Sequence, residues 1–268
     1  MPALPAPERS LSAPPLTWLY VPGDRPDRVE KAIASRAHAV IVDLEDGVAP
    51  AAKEQARANL PGLLGRPREK PVFVRVNAGS AADLEVVREL AVAGVVAPKV
   101  ERPEALPDGL RVHALIESAA GVEAAYAIAG DPRVEGVSLG EADLRSQTGA
   151  LEAGLDWVRG RIVNAAVAAG LPRPPQSVYP HVRDLEGLAA SCRRGRELGH
   201  LGRSASHPDQ LPVIEAAYLP TPDEVERARA TIERLEAGGV GTLGGGEFVD
   251  AAMLGAAEQV VAIAEAYG

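Results

Sequence analysis

Cysteine occurs once in the 268 residues, at Cys192, so no internal disulfide can form, and no Cys/His spacing suits a zinc centre. A reducing, cytoplasmic setting is the expectation. Aromatic residues make up only 3% of the chain, which leaves the core to Ala, Val, Leu and Ile and provides few platforms on which bases could stack. Positive charge is in deficit: 28 Lys and Arg against 37 Asp and Glu give a net charge of −9, the wrong sign for a phosphate-neutralising surface. Nucleic acid is therefore excluded as a partner. Long apolar runs are also missing, since no stretch of about 18 uncharged apolar residues occurs, and a membrane span is excluded with them. The first fifteen residues, MPALPAPERSLSAPP, contain five prolines and neither a basic start nor an unbroken apolar stretch. They read as a flexible tail (1–15), neither signal nor anchor.

From Thr17 onward, short β-branched or apolar runs alternate with segments of helical periodicity, the pattern of βα units around a parallel sheet. Strands are expected at Thr17–Val21, Ala39–Leu44, Pro71–Val76, Gly94–Pro98, Arg111–Ile116, Gly136–Leu139, Ser177–Tyr179 and Gly202–Ser204, the last two being short. The helices between them include Pro26–Arg36, Pro50–Leu64, Ala81–Ala93, Gly121–Ala129, Trp157–Gly170, Asp184–Leu198 and Pro208–Ala217. Eight such units in residues 16–220 predict an α/β fold of the (β/α)8 TIM-barrel class. Residues 221–268 read as a C-terminal helical extension, one helix at Pro222–Ala237 and another at Asp250–Tyr267 joined by glycine-rich chain. The second is apolar enough to need a partner surface, which predicts a homo-oligomer.

In a barrel the chain just beyond each strand forms the mouth where active sites sit, and here nearly every strand ends in polar residues. These are Asp24-Arg25, Asp43-Leu44-Glu45-Asp46, Arg75-Val76-Asn77, Lys99, Glu117-Ser118 and Glu141-Ala142-Asp143, with Ser206-His207 after the eighth. Carboxylates crowded at one mouth repel unless neutralised, and the neutralisers are a divalent cation together with Arg75 and Lys99. Glu117 and Asp143 make the best pair of ligands for Mg2+, which takes one or two carboxylates and keeps positions for substrate oxygens. The alternative is that either residue caps or starts a helix. Gly239 to Gly244 matches a GxGxxG pattern but follows a helix, so it reads as a hinge. His207 reads as a positioning residue, the Arg193, Arg194 and Arg196 cluster as a solvated face, and Cys192 as a packing residue.

Together, Tyr20-Val21-Pro22-Gly23-Asp24-Arg25-Pro26, Val42-Asp43-Leu44-Glu45-Asp46-Gly47-Val48, Val74-Arg75-Val76-Asn77, Pro98-Lys99-Val100-Glu101, Leu115-Ile116-Glu117-Ser118 and Gly140-Glu141-Ala142-Asp143-Leu144 resemble the citrate lyase beta-subunit-like branch of the HpcH/HpaI aldolase and citrate lyase superfamily. Gly202-Arg203, His207-Pro208-Asp209-Gln210 and Phe248-Val249-Asp250 extend the match. The resemblance implies a Mg2+-dependent lyase that makes or breaks a carbon–carbon bond in a 3-hydroxyacyl thioester of coenzyme A, such as malyl-, citramalyl- or citryl-CoA. By position it implies Glu117 and Asp143 as metal ligands and Arg75 as the residue that binds the carbonyl or enolate oxygen. The resemblance likewise implies that Asp43, Glu45 and Asp46 hold metal-bound water and Arg75, and that Asp250 is a proton-transfer carboxylate delivered from an adjacent subunit of a trimer or hexamer, with Gly244-Gly245-Gly246 as its hinge. Arg25, Arg28 and Lys31 would meet the phosphates of coenzyme A. Arg203, Ala205-Ser206 and Glu141-Ala142 depart from the usual pattern and bear on substrate choice. Competing readings are an aldolase on free 2-keto acids, a subunit using an acyl carrier protein, and a non-catalytic barrel that binds metabolites or a partner.

Overall fold

The short apolar runs become seven parallel strands of a single sheet in a computed structural model that describes residues 13–238, 241–243 and 246–268. They are β1 (Thr17–Pro22), β2 (Ala39–Asp43), β3 (Val72–Arg75), β4 (Gly94–Ala97), β5 (Val112–Ile116), β6 (Val134–Leu139) and β7 (Arg203–Ala205). The order is β6-β5-β4-β3-β2-β1-β7, so the chain returns from β6 to the far side of β1. Strands β2, β4 and β5 are buried along their whole length, as parallel strands covered on both faces must be. The helices of this unit are α1 (Pro26–Ala34), α2 (Lys53–Leu64), α3 (Ala81–Arg88), α4 (Ala119–Glu123), α5 (Ala125–Ala129), α6 (Glu141–Thr148), α7 (Leu155–Ala168), α8 (Leu185–Glu197) and α9 (Leu211–Tyr218).

The strand expected at Ser177–Tyr179 is corrected to a single parallel bridge between Gln176 and Arg203. Prolines 172, 174, 175 and 180 flank it, and a residue without an N–H cannot sustain a ladder. Side chains hold the segment instead. Ser177 Oγ donates to the Leu139 carbonyl at the end of β6, and Arg203 Nη1 donates to Gln176 Oε1 at 3.1 Å and to Ser191 Oγ at 2.9 Å. The bridge thus links the edges of the sheet, β6 and β7, at the place of an eighth strand.

Helix α6 is absent from the sequence expectation because Glu-Ala-Asp-Leu-Arg-Ser-Gln-Thr carries one buried apolar residue, Leu144, and no amphipathic period. It ends on Gly149 in the left-handed conformation (φ 70°), which glycine adopts freely. Its start is fixed from α7, where the buried Arg159 donates to both carboxylate oxygens of Glu141, at 2.9 and 2.7 Å.

Inside the sheet, Trp18, Ala39, Ile41, Val96 and Leu115 form an apolar cluster against which Tyr20 and Phe73 pack. His113 lies among these rings, 5.1 Å from Trp18 and 6.5 Å from Phe73 between centroids. Burial pushes its pKa down to about 4, and burial does the same to His200, also to about 4. An unfolded chain would protonate both near 6.5, so the folded state is favoured fully above that pH and loses the advantage as pH falls towards 4. Between pH 7 and pH 5 the unfolding free energy is expected to drop by on the order of 2 kcal/mol per histidine. Urea titrations across that range check this, and a flat profile contradicts it.

Contacts divide the chain into Pro15–Tyr218 and a second unit that includes Leu219–Gly268. Within the latter, α10 (Pro222–Glu236) packs on α11 (Leu254–Tyr267), and a two-stranded ribbon pairs β8 (Gly241–Thr242) with β9 (Phe248–Val249). Thr221 and Glu224 close a capping box at the start of α10, and the Tyr267 hydroxyl donates to the Ala13 carbonyl at 3.0 Å. Most of the tail expected at residues 1–15, and residues 239, 240, 244 and 245 of the expected hinges, lie outside the described residues. Among the described residues no helix is long and apolar enough to cross a membrane.

Candidate active site

The strand ends converge on one cavity of about 430 Å3, lined in part by Tyr20, Asp43, Asp46, Arg75, Glu117 and Asp143. Asp43 closes β2 and is its hub. Arg75, at the end of β3, grips it with two parallel hydrogen bonds, from Nε to Oδ1 at 2.7 Å and from Nη2 to Oδ2 at 2.5 Å. The backbone N–H groups of Glu45 and Gly47 donate to the same carboxylate at 2.9 and 2.8 Å. Arg75 Nη1 lies 3.2 Å from Glu45 Oε2, while Lys99 Nζ pairs with Glu45 Oε1 and stands 3.9 Å from Asp46. Burial works against the guanidinium's charge, but the bond to Asp43 and the fields of Asp43, Tyr20 and Glu45 more than offset it, and the Arg75 pKa is raised. The guanidinium also rests over the Tyr20 ring, 5.0 Å from its centroid.

Glu117 follows β5 directly and is 5% exposed; Asp143 sits in the first turn of α6, where the helix dipole favours a negative charge. Burial, then the neighbouring Asp143 carboxyl, raise the Glu117 pKa to about 8, with the nearby charge of Glu45 acting in the same direction. The Lys99 N–H opposes the shift by donating to Glu117 Oε1 at 2.7 Å, and the backbone adopts a left-handed turn at Lys99 (φ 55°). A non-glycine residue at such a φ is uncommon and costs on the order of 1–3 kcal/mol. Gly140 is required by close approach, because a Cβ there would come within 2.6 Å of Glu117 Oε2.

Glu117 is buried while Asp143 is exposed at the mouth of the cavity, and a divalent cation held by the two would offset the penalty that burial places on the Glu117 charge. Among the described residues no trio of His, Cys, Asp or Glu converges on one point, so the donor set is this oxygen pair. That set fits Mg2+, which accepts two carboxylates and retains water, and does not fit a four-ligand zinc centre.

Of the residues singled out in the sequence, Asp43, Asp46, Arg75, Glu117 and Asp143 line the cavity, and Glu45, 3% exposed, braces it from behind Arg75. Asp143 stands in the first turn of a helix, as the alternative for it expected, and lines the same cavity as Glu117. Arg25, Arg28 and Lys31 do not line the cavity; they are exposed at the start and along α1, with Arg25 3.8 Å from Asp27. Asp250 belongs to the second unit, where its Oδ1 accepts from the Ala252 N–H at 2.9 Å. His207 likewise accepts from the Asp209 N–H, Arg194 pairs with Asp156 and Glu197, and Cys192 is buried. Sequence reasoning missed Ser138, Ser177 and Ser204, which also line the cavity, and the role of Tyr20 beneath Arg75. A histidine and a serine interrupting the apolar strands β5 and β6 were the available signal.

Comparison with known proteins adds two relatives and a structure over nearly the whole chain. The (3S)-malyl-CoA thioesterase of Cereibacter sphaeroides (strain ATCC 17029 / ATH 2.4.9) is 36% identical over 92% of this chain and 94% of its own length. The L-malyl-CoA/beta-methylmalyl-CoA lyase of the same organism is 30% identical over 92% of this chain and 93% of its own. The crystal structure of CitE from Mycobacterium tuberculosis in complex with magnesium, acetoacetate and coenzyme A superposes with a TM-score of 0.80 at 33% identity, covering 95% of this chain and 99% of that one. The profile of one family matches residues 16–108 and 105–208, which takes in every strand of the sheet and every side chain of the cavity. On that match the chain belongs to the HpcH/HpaI aldolase/citrate lyase family.

Proposed function

We propose that this chain is a Mg2+-dependent carbon–carbon lyase that cleaves or forms a 3-hydroxyacyl coenzyme A thioester of the malyl, citramalyl or citryl kind, exchanging it with an acyl-CoA and a 2-keto acid. The observation that carries this reading is the meeting of Glu117 and Asp143 in one cavity with the Arg75 guanidinium. The relatives named as a malyl-CoA lyase and as CitE bound to magnesium and coenzyme A support it. Glu117 and Asp143 are the residues that hold Mg2+. When bound, the ion supplies fixed positive charge where negative charge develops on substrate oxygens.

In cleavage the 3-hydroxyl gives up its proton and its oxygen becomes the keto oxygen of the departing acid, while the carbon–carbon electron pair moves onto the thioester as an enolate whose carbon then takes up a proton. Arg75 turns Nε, Nη1 and Nη2 towards Asp43 and Glu45, so each terminal nitrogen keeps one further N–H for a ligand oxygen. Asp43, Glu45 and Asp46 fix that guanidinium and its surroundings before substrate arrives, which is where preorganised charge is most effective. Asp250 is the carboxyl assigned to the proton on carbon, from a neighbouring copy. Arg25, Arg28 and Lys31 are assigned to the phosphates of coenzyme A. In this reading the sheet is a (β/α)8 barrel completed by residues 176–177, and residues 221–268 are an extension that packs on the next subunit of a cytoplasmic homo-oligomer, a trimer or hexamer.

Thioester hydrolysis is the second reading, favoured by the higher identity to the relative named a thioesterase. Mass spectrometry of the products from malyl-, citramalyl- and citryl-CoA separates the two. Acyl-CoA plus keto acid is the expected outcome, and it should vanish with chelator and return with Mg2+. Free coenzyme A plus the intact hydroxy acid would favour hydrolysis, and turnover unaffected by chelator would remove the metal from either scheme.

A further inference from the structure

The cavity has a charged arc and a hydroxyl arc. Asp43 and Arg75 come from the ends of the adjacent strands β2 and β3, and Glu117 from the end of β5, on the other side of β4; Arg75 is the only Lys or Arg among the described lining residues. Ser138 on β6, Ser177 beside the bridge, Ser204 on β7 and Tyr20 on β1 follow one another around the remainder. Among the described residues the side-chain hydroxyls of Tyr20 and Ser204 make no hydrogen bond.

Ser138 has support built for it. Its Oγ lies 3.0 Å from His113 Nε2, and the imidazole is held between Trp18 and Phe73. Gly136 provides the room, because a Cβ there would stand 2.6 Å from His113 Nδ1. Burying an imidazole and a hydroxyl under an otherwise apolar floor costs more than filling the space with Leu and Ala. The imidazole is neutral at physiological pH, with a single N–H to give.

We propose that Ser138, oriented by His113, is a specificity-determining residue that donates a hydrogen bond to an oxygen on the substrate's substituent, so that the site selects oxygenated over alkyl acids of equal size. The inference rests on the lyase reading and names its substrate class. Keto, carboxylate and thioester oxygens only accept, so the Ser138 O–H must donate to the ligand. Oγ then accepts from His113, which requires the Nε2–H tautomer.

Oxaloacetate and 4-methyl-2-oxopentanoate match in heavy-atom count and differ in a carboxylate against an isopropyl end. Calorimetry with Mg2+ present is expected to show wild-type protein binding oxaloacetate at least about tenfold more tightly. Ser138→Ala should weaken oxaloacetate by about tenfold and the alkyl acid by less than about twofold. Equal losses for both acids, or none, overturn the assignment of Ser138 and leave the lyase reading standing. If neither acid binds wild-type protein, the lyase reading fails and the assignment with it. Nitrogen-15 spectra of His113, identified by its loss in His113→Gln, provide a readout independent of turnover: Nε2–H is expected, and Nδ1–H overturns the proposal.

Discussion

Glu117→Gln is expected to lower Mg2+-dependent kcat/KM by more than about a hundredfold while leaving the metal-free protein at least as stable as wild type. The first half follows from removing one of the two proposed anionic ligands: losing even a group that merely supports a ligand costs about 10–100-fold. The second follows from the metal-free site, where burial and the neighbouring Asp143 carboxyl hold the Glu117 pKa up at about 8. A neutral amide of the same shape keeps an acceptor for the Lys99 N–H and removes the conflict with Asp143. Wild-type protein should melt at higher temperature when Mg2+ is added, since any ligand of the native state stabilises it by mass action, and the variant should not. A Glu117→Gln protein that turns over normally and still responds to Mg2+ would falsify the metal assignment.

Arg75→Met should be the most destabilising single change in the cavity, by about 3–5 kcal/mol, because it leaves buried carboxylates without their counter-charge. Asp43 is 3% exposed and would lose two charge-assisted bonds; Glu45, equally buried, would keep Lys99. Arg75→Lys retains the charge but not the planar fork, so it should cost less stability and still reduce kcat/KM by about 100–1000-fold. Urea unfolding and steady-state rates on the two variants check this. Equal midpoints for Arg75→Met and wild type would mean that the pair does not brace the site, and full activity in Arg75→Lys would mean that the fork is not used.

Much of the site can be read from the chain because each strand hands its last residues to the same mouth: once β2, β3 and β5 are placed in one parallel sheet, Asp43, Arg75 and Glu117 must open on the same end of it. The parts that escape such reading involve contacts that no local pattern encodes. Helix α6 lacks an apolar period and is held by Arg159, from a helix further along the chain, and only its placement turns Asp143 towards Glu117. The segment around Ser177 has a strand's apolar character but prolines deny it the hydrogen bonds. The basic residues of α1 look suited to phosphates in one dimension, yet they lie outside the cavity.

Composition and periodicity alone indicated an α/β fold around a parallel sheet and the carboxylates offered at its strand ends, because side-chain burial in parallel strands is a local, repeating demand. Tertiary structure alone decided that Glu117 and Asp143 open on one cavity with Arg75, and that His113 sits beneath Ser138. Those depend on distances of a few ångström between residues far apart in sequence, and on the burial that turns such proximity into shifted proton affinities.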